Sequence, residues 1–388
     1  MIARILPLLA LLIVLPDLYF YFRRQKRRQK ALVLQRIMWW LPGVLMLLFT
    51  IFIACSEHFV PEEPMVLNVY LLLVGIIVIP KAVYAICSFI GRRVRKAFKS
   101  RYNYGNLVGL LLGLVVIIST FYSFFVCPYH FNIRREQFAS ADLPEAFDGY
   151  RVVQFSDVHA GSIPLKMLES AVDSINAQEP DLIIFTGDLQ NMKPDEVDRV
   201  APILQRLHAK DGIYSIMGNH DYTFYLNCDE ADILINEEKM KRKQRDLGWR
   251  LLLNEHVSVV RGSDSIVLAG MENTDGKPER TRGDLEKTMR GIAPGAFVIL
   301  LQHEPQVWRG EILEKTDAQL TLSGHTHGGQ ISIFGWSPVS LSLDEWGGLF
   351  IEDGRAINVS TGLGGLVPFR LGMCPEFVVL TLRRSPEA

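Results

Sequence analysis

The chain has 388 residues, 49% of them hydrophobic, and a formal net charge of −1. That length accommodates one large domain plus a further unit, and the small total charge hides a split. Residues 1–127 carry 15 Lys and Arg against 4 Asp and Glu, leaving 26 against 38 for the rest, so the second half is a poor nucleic-acid surface and better suited to cations.

Four apolar stretches, about residues 5–22, 37–55, 66–90 and 107–127, are long enough or nearly so to cross a hydrocarbon core, for which a helix needs roughly 20 residues. "RRQKRRQK" (23–30) follows the first span and "GRRVRKAFKSR" (91–101) the third, whereas "SEHFVPEEP" (56–64) is acidic. The positive-inside rule puts both basic loops in the cytoplasm, so the N-terminus and everything after Cys127 face outward in a multi-pass membrane protein. The first span has its basic cluster on the C-terminal side, unlike a signal peptide, and is expected to be a retained anchor. Asp17 and Lys81 interrupt the spans. Lys81 is expected to snorkel to the interface, with a conduction role or an Asp17–Lys81 pair as alternatives. No CxxC pair occurs among the five cysteines, and a Cys228–Cys374 disulfide stays open.

From Gly149 the pattern changes to short apolar runs that end in polar clusters: "YRVVQFSDVH" (150–159), "DLIIFTGDL" (181–189), "GIYSIMGNHD" (212–221), "AFVILLQHEP" (296–305) and "AQLTLSGHTH" (318–327). Helical spacing marks residues 165–178 and 195–209 between the first three, and the charged stretch 229–246 predicts a solvated helix. Strands alternating with helices predict an α/β domain with mostly buried strands, and ligands in such sheets gather at strand ends.

Those ends supply Asp157 with His159, Asp188, Asn219 with His220 and Asp221, His303, and His325 with His327. Only oxygen and nitrogen donors appear, enough for two metals. Two divalent ions roughly 3.5–4 Å apart can clamp a phosphoryl group and activate a bridging hydroxide. Carboxylate is needed to hold two cations together, and neutral imidazoles keep them Lewis acidic. In His325-Thr326-His327 the two rings can reach different metals, while Gly324, Gly328 and Gly329 let the backbone come close.

The ordered set "SDVHAGS", "FTGDLQN", "MGNHDY", "LLQHEP" and "SGHTHGGQ" resembles the signature of calcineurin-like metallophosphoesterases, and the tail "GLGGLVPFRLGMCPEFVVLTL" resembles their bacterial membrane-associated YkuE/YaeI-like branch. The resemblance covers roughly residues 130–385 and implies a four-layer α-β-β-α sandwich, here preceded by four transmembrane helices; the domain boundary is expected at 127/128. It implies one metal on Asp157, His159, Asp188 and His327, and a second on Asp188, Asn219, His303 and His325, with Asp188 bridging. His220 would stabilise the transition state or protonate the leaving oxygen, oriented by Asp221. Gln190, Asn191 and Asn273 depart from the acids common in relatives and are candidates for altering the substrate pocket. Arg370 is a candidate for a substrate phosphate or a surface ion pair, and Trp336 and Trp346 for an apolar entrance.

The expected function is a membrane-anchored phosphoesterase acting on phosphate mono- or diesters, with a phospholipid or lipid-linked ester as the candidate substrate. Alternatives are UDP-diacyl-sugar pyrophosphatase activity, which the outward topology opposes, a protein phosphatase, and a sensor that binds metal or phosphate without turnover. Mixed carboxylate, amide and imidazole ligation suits Mn, Fe or Zn.

Overall fold

The computed structural model describes residues 2–25, 33–56, 58, 64–274 and 280–385. Most of the first basic cluster (26–30), the acidic residues of the loop at 57–63, and Asp275 and Gly276 lie outside the described residues. The chain divides into two compact units, Met1–Phe125 and Val126–Ala388.

In the first unit α1 (Ile2–Phe20), α2 (Val33–Ala54), α3 (Pro64–Leu73), α4 (Ile79–Ala97) and α5 (Gly105–Phe125) form the helices, α3 running into α4 through a π-helical stretch, Val74–Val78. They supply four candidate membrane spans, Ile5–Arg23, Ile37–Ala54, Pro64–Ala97 and Gly105–Tyr129. The third outruns the expected residues 66–90. Arg92, Arg93, Arg95 and Lys96 continue the helix instead of opening a loop, and positive charge on a last turn is favoured by the helix dipole.

Packing of α4 on α5 follows from glycines four apart. Gly105, Gly109 and Gly113 share one face of α5, and a methyl group on Gly109 would stand 3.0 Å from the Cys87 Cβ and Tyr84 Cα. Gly113 lies opposite Pro80 in the same way. Small residues at such a seam give close backbone approach, the main source of helix association in lipid.

The snorkelling expectation for Lys81 is overturned. Its ammonium pairs with the carboxylate of Asp17, which is 1% exposed, and Gly43 of α2 lies directly against that carboxylate. A lone buried carboxylate is costly in a bilayer, and the Lys81 ammonium compensates it. Replacing Asp17 or Lys81 alone by Leu is expected to cost roughly 3–5 kcal/mol in denaturant titrations of the full chain. The double replacement should cost far less than the sum, and additive losses would argue against the pair.

The second unit has two six-stranded sheets. Its strands are β1 (Asn132–Ser140), β2 (Arg151–Phe155), β3 (Leu182–Phe185), β4 (Ile213–Ser215), β5 (Arg250–Leu251), β6 (Glu255–Arg261), β7 (Asp264–Gly270), β8 (Val298–Leu301), β9 (Leu320–Ser323), β10 (Gly348–Glu352), β11 (Arg355–Val359) and β12 (Glu376–Arg384). One sheet runs β1-β12-β2-β3-β4-β5, the other β10-β11-β9-β8-β7-β6. Strands β2 to β5 are mutually parallel, and so are β7, β8, β9 and β11.

Side-chain alternation explains the layers. Val152, Leu182 and Ile184 point between the sheets to meet Leu268, Ile299, Leu301, Leu320 and Leu322. Their neighbours Val153, Ile183 and Phe185 face outward onto Leu168, Ala171, Val172 and Ile175 of α6 (Leu165–Asn176). On the far side Val298 and Leu300 pack under Leu285, Trp308 and Ile312. Strands buried on both faces must be apolar throughout, which is why they read as continuous runs. This is the expected α/β domain with its two inner sheets and flanking helices.

The helix expected over 195–209 is broken into a 3-10 stretch, Pro194–Arg199, and a single turn, α7 (Ala201–Leu204). Pro202 supplies no backbone N–H and excludes a helical carbonyl four residues before it. The helix expected at 229–246 forms as α8 (Glu230–Asp246), but it also buries Glu237, Met240 and Gln244. Cys374 stands against Cys127, Sγ to Sγ 2.9 Å, and not against Cys228; these thiols are free.

Candidate metal centre

The nine residues singled out in the sequence lie in the loops just beyond the carboxyl ends of β2, β3, β4, β8 and β9. Parallel pairing within each sheet sends these ends the same way, so side chains far apart in sequence converge. Each turn is sharp. Asp157, His159, Asp188, His325 and His327 all take positive φ, from 48° to 73°, a region costly for residues with a Cβ and concentrated at functional sites. A methyl group on Gly324 would lie 2.7 Å from Asp157 Oδ2, so this glycine is what lets the β9 loop approach that carboxylate.

Two donor groups result, one of Asp157, His159 and His327, the other of Asp188, His303 and His325; His159, Asp188 and His220 form a third that overlaps both. His159 Nε2 lies 3.3 Å from His327 Nε2 and 3.7 Å from Asp188 Oδ2. His303 Nε2 is 3.2 Å from the same Asp188 oxygen, and His327 Nε2 is 3.5 Å from Asp157 Oδ1. Asn219 Oδ1 meets His325 Nδ1 at 2.9 Å, while its Nδ2 donates to the Tyr225 hydroxyl. One carboxylate, Asp188, thus touches both halves.

Burial and the nearby His220 push His159 down to about 3, and burial with His303 does the same to His325. Both rings therefore offer lone pairs at neutral pH, the form a metal requires. Burial also opposes a charged His303, yet the Asp188 carboxylate beside it prevails and raises it to about 10. Asp157 is lifted to about 7, chiefly by burial. Asp157 Oδ1 and His303 Nε2 are buried without a hydrogen bond. Orphaned buried donor atoms, neutral imidazoles and a shared carboxylate fit divalent cations.

The expectation that Asp221 orients His220 is not met. His220 Nδ1 lies 2.6 Å from the Asn191 carbonyl, and its ring stacks on Tyr225, centroids 4.3 Å apart. Asp221 instead accepts the backbone N–H groups of Asp188, Leu189, Gln190 and Gly218 at 2.9–3.2 Å. Gln190 and Asn191 also hold loops together, Gln190 Nε2 donating to the His220 carbonyl and Asn191 Nδ2 to Ser162. Asn273 is buried, with Nδ2 donating to Glu304. Arg370 is 1% exposed, so it forms no surface ion pair. It donates to the carbonyls of His327, Thr361, Gly362 and Gly364, clipping the glycine loop to the site. Trp336 is half exposed, and Trp346 accepts from Thr326 through its carbonyl.

Tyr225 was missed by sequence reasoning. Its signal was present in "NHDYTFY", where the left-handed Thr223 (φ 62°) ends the 3-10 turn carrying His220. The Asn191 carbonyl left no signal, because any residue has one.

The chain belongs to the calcineurin-like phosphoesterases, and it is a membrane protein with a hydrolytic domain. Residues 150–329 match the family described as Calcineurin-like phosphoesterase. Residues 3–126 match "Probable Calcineurin-like phosphoesterase, transmembrane domain". The metallophosphoesterase YkuE of Bacillus subtilis is 32% identical over 279 residues, 68% of this chain and 90% of that protein. A metallophosphoesterase of Aquifex aeolicus is 29% identical over 66% of this chain and 93% of its own length. UDP-2,3-diacylglucosamine pyrophosphatase LpxG of Chlamydia trachomatis is 26% identical over 72% of this chain and 99% of its own.

If Asp221 serves the backbone, Asp221→Asn leaves at least one N–H poorly satisfied and should destabilise by about 1–3 kcal/mol. Metal content and melting temperature are expected to fall together, with the pH profile of residual turnover unchanged. A shifted pH profile at full metal content would return Asp221 to the role of orienting His220.

Proposed function

We propose that the second unit, taken as residues 128–388, is a two-metal phosphoesterase held at the membrane by residues 1–127. One divalent ion would be held by Asp157, His159, Asp188 and His327, the other by Asp188, Asn219, His303 and His325. The observation that carries this reading is the position of Asp188 between two donor groups. When bound, the ions supply Lewis acidity toward phosphoryl oxygens and activate water; the donor set suits Mn, Fe or Zn.

The protein's own contribution is positioning and proton transfer. His220 donates Nδ1–H to the Asn191 carbonyl, so Nε2 is the atom that holds or gives up a proton. Stacked on Tyr225 and beside the His159 ring, it is fixed at the edge of the donor cluster, where it would meet the leaving oxygen of a phosphate ester. Arg370, bound up with carbonyls, shapes the site without meeting substrate.

The substrate is proposed to be a phosphate mono- or diester, of which a lipid-linked ester best matches the short link from α5 to β1. The basic residues at 92–96, charged as the positive-inside rule requires, support an outward-facing second unit. A second reading, cleavage of a nucleoside-diphosphate sugar, draws support from the likeness to LpxG and needs the domain inside, where such precursors are made.

Manganese-loaded full-length protein is expected to hydrolyse p-nitrophenyl and bis-p-nitrophenyl phosphate, with Asp188→Asn inactive. His220→Gln should slow esters of alkyl alcohols by about 10²–10⁴-fold and p-nitrophenyl esters much less, since that leaving group needs no proton. Wild-type protein with metal bound but no turnover on any ester would favour a binding module. Thiol labelling of Cys228 in intact cells by an impermeant reagent is expected under the outward topology. Protection until lysis would favour the inward reading.

A further inference from the structure

Inside the membrane unit lies a cavity of about 600 Å³, lined by Phe20, Arg23, Trp39, Lys81, Tyr84 and Asn106. Its chemistry is one-sided. Arg23 brings a guanidinium whose Nη1 donates to Tyr19 and Ser88, and Lys81 brings an ammonium. The Asp17 carboxylate that pairs with Lys81 is buried and is not among the lining groups. Asn106 commits its side-chain oxygen to Ser88 and Asn103, so what it has left to offer is its amide N–H₂. Trp39 Nε1, a donor with no acceptor capacity, is buried and donates to nothing among the described residues.

Two cations and an amide thus face one space, and no carboxylate among the described residues lines it. Trp39 Nε1 itself has no accessible surface, so the indole contributes its ring to the wall. The complement is a compact, acceptor-rich anion, and phosphate is what a guanidinium fork and an ammonium recognise together. Phe20 packs edge-on against Trp39 (6.2 Å between centroids) and at 5.4 Å against Tyr84, giving the same cavity an apolar wall suited to the glycerol and first methylenes of a lipid. Four spans also exceed what anchoring alone requires.

We propose that this cavity binds the phosphate of an anionic membrane lipid, at a site separate from the metal centre. The site needs no metal, so it can be tested without reference to hydrolysis. Full-length protein in nanodiscs of phosphatidylcholine containing a minor fraction of phosphatidylglycerol, with chelator present, would be released and its retained lipids measured by native mass spectrometry. Wild type is expected to retain phosphatidylglycerol in preference to phosphatidylcholine. Arg23→Gln should reduce that preference by about fivefold, the effect of one basic contact, and Lys81→Gln combined with Asp17→Asn, which removes the ammonium without stranding its carboxylate, should reduce it in the same direction. Elution volume and unchanged turnover of p-nitrophenyl phosphate after metal reloading show that each variant is folded. Absence of preference in wild type, or an undiminished preference in both variants, overturns the proposal. Displacement of the lipid by millimolar inorganic phosphate or pyrophosphate overturns the lipid assignment and makes the occupant a soluble phosphate.

Discussion

Four backbone N–H groups converge on the carboxylate of Asp221, and the arrangement of the metal centre follows from that convergence. The turns after β3 and β4 are buried, so their amides cannot be served by water and need a protein acceptor. One side chain serves both turns at once. With its amide fixed, Asp188 holds the left-handed backbone that swings its carboxylate toward His159 and His303. The same carboxylate accepts the amide of His220 at 2.8 Å, so the turn that is anchored also anchors the next catalytic candidate. Strain in the turns and order in the side chains are therefore one phenomenon. Bent loops are the means by which strands from two different sheets deliver their donors to one point.

Much of this was legible in the sequence. Asp157, His159, Asp188, Asn219, His220, His303, His325 and His327 each follow a short apolar run, and parallel strands buried on both faces turn that regularity into spatial convergence. Contacts made through backbone carbonyls were not legible. Arg370 stays open in sequence between a substrate phosphate and a surface ion pair, because an arginine after a glycine loop carries no mark of whether carbonyls will consume it. His220 and Asp221 are adjacent in sequence, yet adjacent residues in a tight 3-10 turn point apart, and the carboxylate goes to the loop behind. Residues 195–209 had helical spacing, but Pro202 overrides the pattern locally. For Lys81 the sequence leaves snorkelling, conduction and a pair with Asp17 side by side. Their similar depth can be read from the spans, but only the packed bundle shows that the two spans bring them into contact.

The membrane unit is more than a hydrophobic anchor. Gly105, Gly109 and Gly113 give α5 a flat face on which α4 rests, and a polar thread runs from Tyr19 through Ser88 to Asn106 and Asn103. Side chains of this kind are retained inside a bilayer only where they satisfy one another. Residues 3–126 match a family of their own, whose description is that of a phosphoesterase transmembrane domain.

The first strand after the last span, β1, has β12 as its only neighbour in the sheet among the described residues, in a parallel register from Asn132 opposite Glu376 to Ser140 opposite Arg384. Strand β12 in turn separates β1 from β2. The opening segment of the domain must therefore wait for the closing one. No intermediate length of nascent chain can seat β1, and its ladder forms only once nearly the whole domain has been made. Contacts of such large sequence separation are slow to form. Completion of the sheet is in effect a report that synthesis of the domain has ended, and a chain cut short before residue 376 keeps an unpaired strand where its second unit begins.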